Sequence, residues 1–289
     1  MKLAVLADIH ANFIALEAVA NDLDAWQPDA VVVAGDTINR GPRSRECWDF
    51  VNQRRADGWQ ILLGNHEEYV INVARDPSPR PGIDGAVRES VIWTWQQFGD
   101  VTPLTDLPFS TSVYAPDGSE VRIAHASMRG TRDNILVDTP DEQLKQQVQG
   151  SETERPCPTI FCIGHTHLPF LRTLDTTLVL NVGSVGLPFD GDRRASYARL
   201  VWNETGWQAQ IQRLTYDWAA AERDFHTTGF LHQAGLAADL IFEELCTGRS
   251  RLFRWITTFE EQVKSGTCSV ADSIVQYRAL LASEAQTEV

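Results

Sequence analysis

The chain has 289 residues, of which 43% are hydrophobic, so it can hold one large domain or two ordinary ones around a real core. Its formal net charge is −14; so acidic a surface repels long polyanions and argues against broad nucleic-acid binding, while leaving room for a small anion in a cation-bearing cleft. No apolar run approaches the roughly 18 residues of a membrane span, and Asp8 interrupts the apolar N-terminus too early for a secretory segment, so a cytoplasmic protein without membrane contact is expected.

Residues 2–7 predict a buried strand whose polar groups emerge at its C-terminal end, in Asp8-Ile9-His10. Residues 12–25 carry Leu16, Val19, Ala20 and Leu23 at helical spacing, with Asn12 as the cap. A second buried strand over 30–34 ends in Gly35-Asp36, a helix spans 43–56, and a third strand over 60–63 ends in Gly64-Asn65-His66. Repeated strand, polar loop and helix mean α/β architecture with a parallel sheet. Ligands of such sheets sit beyond the carboxyl ends of the strands, where all these polar clusters lie. Pro77, Pro79 and Pro81 make 76–84 a loop before a helix over 85–98. Residues 109–125 read as a hairpin turning at Pro116-Asp117-Gly118, with His125 at its far end. A strand over 159–163 ends in Gly164-His165-Thr166-His167, and strands follow at 168–174, 178–182, 195–202 and 207–214, with a turn at Asn203 to Gly206.

From about Tyr216 the pattern becomes helical. Leu236, Leu240, Ile241 and Leu245 share one predicted face, as do Leu252, Trp255, Ile256, Phe259 and Val263. The expected division is a catalytic domain over 1–214 and a helical appendage over 215–289. The five cysteines, Cys47, Cys157, Cys162, Cys246 and Cys268, are scattered; they suggest reduced thiols rather than a disulfide framework or zinc knuckle.

Of seven histidines, His10, His66, His125, His165 and His167 stand at strand ends or beside glycine. With Asp8, Asp36 and Asn65 they form a set of nitrogen and oxygen ligands. Each local piece has an ordinary explanation as a cap or turn, but their joint placement at strand ends points to a metal site. Imidazole with carboxylate suits Mn, Fe, Zn or Ni. A pair of such ions, sharing a carboxylate, polarises phosphoryl oxygens and generates a hydroxide at neutral pH. His226 and His232 lie in the helical segment without partners at ligand spacing, and Trp93, Trp95 and Trp255 sit at core-like helical positions.

Read together, Asp8-Ile9-His10, Gly35-Asp36, Gly64-Asn65-His66-Glu67, His125 and Gly164-His165-Thr166-His167 resemble the calcineurin-like metallophosphoesterase superfamily over roughly residues 1–214. The resemblance implies a four-layer α/β/β/α sandwich of two mixed sheets and two divalent cations, manganese first among the candidates. It also implies that Asp8, His10 and His167 hold one metal, that Asn65, His125 and His165 hold the other, and that Asp36 bridges them. His66 would contact the substrate and serve as general acid, oriented by Asn65 or Glu67. The segment Gly35-Asp36-Thr37-Ile38-Asn39-Arg40-Gly41-Pro42 is similar to the Gly-Asp-x-x-x-Arg-Gly segment of bacterial diadenosine tetraphosphatases and serine/threonine phosphatases, which would put Arg40 on the substrate phosphate; a salt-bridged loop residue is the other reading. Asn181 to Pro188, with Gly183 and Gly186, resembles a segment of small phosphodiesterase-like members, although valine stands at 182 where those have proline. Arg129 and Arg132 are open to a second phosphate contact or to a solvated loop.

The implied activity is hydrolysis of a phosphodiester or phosphoanhydride bond of a small substrate, a nucleotide included, by attack of a metal-bound hydroxide. The rival within the superfamily is a phosphoprotein phosphatase. The rival outside catalysis is a scaffold that keeps the fold and has lost the reaction, against which every ligand position here is filled.

Overall fold

The computed structural model describes residues 1–151 and 156–287, with side chains to residue 284. In chain order the elements are β1 (Lys2–Leu6), α1 (Phe13–Trp26), β2 (Ala30–Val33), α2 (Ser44–Arg54), β3 (Gln60–Ile61), α3 (Asn65–Arg75), α4 (Gly82–Phe98), α5 (Thr102–Thr105), β4 (Ser110–Tyr114), β5 (Glu120–Ala124), α6 (Asp141–Gln149), β6 (Ile160–Ile163), β7 (Phe170–Leu174), β8 (Thr177–Asn181), β9 (Ala195–Asn203) and β10 (Gly206–Leu214). Helices α7 (Trp218–Thr227), α8 (Phe230–Gln233), α9 (Ala238–Thr247), α10 (Leu252–Lys264) and α11 (Val270–Thr287) complete the chain. The expected strands all form. The α5 and α6 helices carry no signal that the periodicity picked out, and α4 starts three residues before the predicted 85, within the proline-rich segment.

The strands make two five-stranded mixed sheets, ordered β10-β9-β1-β2-β3 and β4-β5-β6-β8-β7. In the first, β1, β2 and β3 are parallel while β9 runs antiparallel to β1. In the second, β5, β6 and β8 are parallel. The period-two alternation of a strand divides β1 between two cores. Leu3 and Val5 face the second sheet, packing with Val121, Ile123, Ile160, Cys162 and Leu180. Ala4 and Leu6 face the opposite way, into a core with Leu16, Val19 and Leu23 of α1 and Cys47, Trp48 and Val51 of α2. The outer face of the second sheet, through Phe161, Ile163 and Val179, is covered by Leu144 and Val148 of α6. These are the four layers, α/β/β/α, that the resemblance implies.

The helices after residue 216 pack on the outside of the first sheet's helices. Ala221, Phe225, Phe230, Leu240, Ile241, Leu245, Leu252, Trp255, Phe259 and Tyr277 belong to the same continuous core as Leu16, Trp48 and Trp93. Leu236 departs from its predicted face: it is 52% exposed, because it precedes α9 in a turn rather than sharing its helical register. Trp93 and Trp255 are buried, as core positions should be. All five cysteines are free, with Cys47 and Cys162 buried. No described helix is long and apolar enough to cross a membrane.

Candidate metal centre

Three loops at the carboxyl ends of β1, β2 and β6 carry most of the polar cluster. Of ten described non-glycine residues with positive φ, eight lie in these loops: Asp8, His10, Ala11, Asp36, Asn39, Arg40, His165 and His167. Such backbone is costly for residues with a Cβ and collects where a site over-determines it. The restraint is visible. The N–H groups of Asp8, His10 and Ala11 donate to the carbonyls of Gly35, Asp36 and Thr37 at 3.0–3.1 Å. The buried Glu67 carboxylate accepts from the backbone N–H of Asp36, Thr37, Ile38 and Gly64 at 2.8–3.3 Å, locking the second loop to α3. Gly35 has φ +84°, and a Cβ there would lie 2.7 Å from the Gly64 backbone and 2.8 Å from His125 Nδ1. A Cβ at Gly186 would lie 1.8 Å from the Ile9 carbonyl oxygen, so the loop after β1 can approach only a glycine there.

The side chains converge in two halves. In one, His10 Nε2 lies 3.0 Å from His167 Nε2, and Asp8 Oδ1 lies 3.9 Å and 3.4 Å from those two nitrogens. In the other, His125 Nε2 lies 2.9 Å from Asn65 Oδ1, and the His125 and His165 ring centroids are 5.2 Å apart. Asp36 stands between. Its Oδ2 is 3.7 Å from His10 Nε2 and 3.4 Å from His125 Nε2, while its Oδ1 accepts the His66 backbone N–H at the start of α3. All seven residues predicted as ligands are therefore in one place.

The donor set fits a cation on three counts. First, Nδ1 of His10, His167 and His125 faces the carbonyl oxygen of Asn39, Leu187 and Ala34 respectively, at 3.2, 2.5 and 2.8 Å. A proton on each Nδ1 leaves Nε2 as a lone pair aimed inward, the tautomer that a carbonyl on the far nitrogen gives a histidine ligand. Second, Asp8 Oδ1 is buried without a hydrogen-bond partner among the described residues, although Asp8 Oδ2 accepts the His165 N–H; an orphaned buried carboxylate oxygen is costly unless something charged meets it. Third, two of the imidazoles, His10 and His165, are held neutral. Burial, with the neighbouring His167 and His66, holds His10 well below its ordinary value, and burial brings His165 down to about 4. Burial opposes protonation of His125 as well, but the Asp36 carboxylate overrides it and raises His125 to about 10, so a cation there would take the place of a proton.

His66 lies at the mouth, with its side chain 13% exposed and its Nε2 4.0 Å from Asp36 Oδ2. Neither expected neighbour orients it. Asn39 Nδ2 donates to His66 Nδ1 at 2.8 Å, and Asn39 Oδ1 accepts from Thr94 Oγ1 of α4 at 3.0 Å. That assigns the imidazole proton to Nε2, facing the site. Burial, assisted by Arg40, brings His66 down to about 3, so it stands in the site as a neutral hydrogen-bond donor rather than an imidazolium. Asn39 and Thr94 were not singled out by their residue types; they are brought together from elements 55 positions apart. Arg40 forms an ion pair with Glu244 of α9 and lies over the Phe189 ring, its Cζ 5.5 Å from the centroid. Arg129 pairs with Asp133 and Arg132 with Glu68, and Arg132 also covers Tyr69, whose ring edge meets His66. His226 contacts Phe242 in the helical segment, apart from the cluster.

The calcineurin-like phosphoesterase superfamily domain matches residues 1–205, which is most of the chain, and the chain belongs to that superfamily: it is a phosphoesterase, a hydrolase of phosphate esters. An uncharacterized protein of Methanocaldococcus jannaschii, MJ0912, is 24% identical over 239 residues, covering 74% of this chain and 88% of that protein. The fold is shared with a metallophosphoesterase from Sphaerobacter thermophilus (TM-score 0.65, 24% identity, 86% of this chain and 99% of that one). It is shared also with hypothetical protein PH1004 from Pyrococcus horikoshii OT3 (TM-score 0.68, 18% identity, 86% and 98%). A share of 86% exceeds what residues 1–214 alone supply, so this likeness of fold takes in part of the C-terminal helices.

Proposed function

We propose that the chain is a dinuclear metal-dependent hydrolase acting on phosphodiester or phosphoanhydride bonds of small substrates, dinucleoside polyphosphates among the candidates. The observation that carries this reading is Asp36 Oδ2, which faces a ring nitrogen of each half of the cluster, His10 at 3.7 Å and His125 at 3.4 Å. Asp8, His10 and His167 would hold one ion, and Asn65, His125 and His165 the other, with Asp36 shared. Manganese is the first candidate, with iron, zinc and nickel compatible with the same donors. When bound, such a pair supplies Lewis-acid polarisation of the phosphoryl group and a nucleophile competent at neutral pH.

The protein's own groups do the rest. The burial of Asp8, His10, Asp36 and His125 keeps the floor of the site dry, where charge interactions are strongest. His66 presents Nε2–H toward the reacting phosphate and would donate to a phosphoryl or leaving-group oxygen, its orientation held by Asn39. Arg40 lies at the rim, where a guanidinium suits a phosphoryl oxygen, already paired with Glu244. The net charge of −14 supports a small substrate over a nucleic acid.

The test is hydrolysis of bis(p-nitrophenyl) phosphate by metal-stripped protein, with and without added manganese. Activity should require metal and vanish in Asp36→Asn. In His66→Ala it should fall about 100-fold or more, in the range of a lost transition-state donor, with metal content retained. Protein that binds two ions yet turns over neither this diester, nor p-nitrophenyl phosphate, nor diadenosine tetraphosphate, nor a phosphopeptide would sink the catalytic reading in favour of a scaffold. Preference for the phosphopeptide would identify a protein phosphatase.

A further inference from the structure

Glu244 belongs to α9, more than 200 residues from the loop it touches, and its side chain is fully buried. Its two oxygens have separate duties. Oε1 accepts the backbone N–H of Arg251 and of Leu252, each at 2.9 Å, at the start of α10. Oε2 pairs with the Arg40 guanidinium, whose side chain is 12% exposed. Arg40 in turn lies over Phe189, and Phe189 stacks on His167 with ring centroids 4.3 Å apart and planes 21° from parallel. A chain of direct contacts therefore runs from the C-terminal helices to the metal cluster. Arg132, which covers Tyr69 beside His66, is likewise paired, with Glu68, and Arg129 is paired with Asp133.

We propose that Glu244 sets the charge preference of the site: by compensating Arg40 it leaves the rim without a free cation among the described residues, so the site favours singly charged phosphodiesters over doubly charged phosphomonoesters. This rests on the phosphoesterase reading above and assigns its substrate class. A phosphomonoester near neutrality carries most of a second negative charge. An uncompensated arginine beside the phosphate would stabilise that extra charge; an arginine already matched by a buried carboxylate does so far less. Glu244 thus acts through Arg40 as a positioning residue. Its fixed geometry, with Oε1 held by two backbone amides, keeps Oε2 on the guanidinium.

The experiment measures equilibrium binding of phenylphosphonate, a dianion at mildly alkaline pH, and of methyl phenylphosphonate, its monoanionic ester, to the manganese-loaded full chain by calorimetry. The variant Glu244→Gln keeps an oxygen for the amides of Arg251 and Leu252 and removes the charge. It should shift the ratio of affinities toward the dianion by about tenfold, the size expected of one unscreened charge near the site. The double variant Glu244→Gln with Arg40→Gln should lose that shift. Arg40→Gln alone, which leaves Glu244 uncompensated, should move the ratio the other way; it decides the matter if Glu244→Gln fails to fold. A ratio unchanged within a factor of two in folded Glu244→Gln, or in Arg40→Gln, overturns the proposal. Hydrolysis of bis(p-nitrophenyl) phosphate by the same wild-type sample separates the two claims. Turnover with an unmoved ratio removes only the role of Glu244. A shifted ratio without turnover removes the phosphoesterase reading and leaves the charge role standing.

Discussion

A histidine offers a metal one nitrogen, and the partner of the other nitrogen decides which. Here the carbonyls of Asn39, Ala34 and Leu187 take Nδ1 of His10, His125 and His167, so backbone, and no carboxylate, orients these three rings. His66 is different because Asn39 gives it a donor instead of an acceptor. Thr94 holds the Asn39 amide in that sense. Thr94→Val is nearly isosteric and leaves the buried Asn39 oxygen unsatisfied, at a cost of about 1–3 kcal/mol. Urea unfolding should show the midpoint falling with an unchanged slope. The same variant should lose about 10-fold or more in kcat with metal content intact, since an outer-shell partner orients a group without binding the ion; unchanged kcat would remove the Asn39 relay from the site's machinery.

At the scale of elements, the site exists because strands stop where loops can approach one another. The segment after β8 shows how. Ser184 Oγ donates to the Asp8 carbonyl and accepts from the Leu187 N–H, both at 2.7 Å, and Asn181 Nδ2 donates to the Gly164 carbonyl at 2.7 Å. Gly35 is a tight junction between the loop after β2, the start of α3 and the His125 ring. Gly35→Ala adds a Cβ to a left-handed residue and into that junction. It should destabilise by more than about 1 kcal/mol, since both strain and a clash act in the same direction. Metal analysis should show loss of the ion proposed for Asn65, His125 and His165 before the one proposed for Asp8, His10 and His167, because the clash falls on His125; retention of full metal stoichiometry would contradict this.

At the scale of the whole molecule, two predictions follow from one shared core and one shared site. Trp255 is fully buried in α10 and its Nε1 donates to Ser273 Oγ at 3.0 Å, far from the metal ligands in sequence. Trp255→Ala should cost about 3–5 kcal/mol. If the C-terminal helices and the sandwich form one cooperative unit, calorimetry will show a single lowered transition; a separate early transition would show that the helices unfold alone. Metal should act in the opposite direction. Manganese at about 100 times its dissociation constant adds about 2.7 kcal/mol to the native state, equivalent to several degrees in Tm for a chain of this size. Asp36→Asn should lose most of that gain, and an equal rise in wild type and variant would speak against a shared carboxylate.

The chain's local signals reached the strands, the main helices and the polar cluster at the strand ends, because each is written in short-range terms: apolar alternation, helical spacing, and polar residues immediately after a strand; the layer order and the division of the cluster into seven ligands and His66 followed from the resemblance of the motifs taken together. Asn65 and His66 are an example, since their place just beyond the third strand follows from the apolar run that ends at Leu63. Other facts depended on tertiary contacts with no local trace. An asparagine in a loop carries many possible partners, so nothing in Asn39 announces that it meets His66 and Thr94. Leu236 fits a helical face by spacing but lies outside the helix, since exposure is decided by what packs beside it. Arg40 was open to two readings in the sequence, and the ion pair with Glu244 could be found only when the C-terminal helices folded back over the first sheet. Short-range patterning determined which residues could make a metal centre; long-range packing decided which neighbours orient them and which charges surround them.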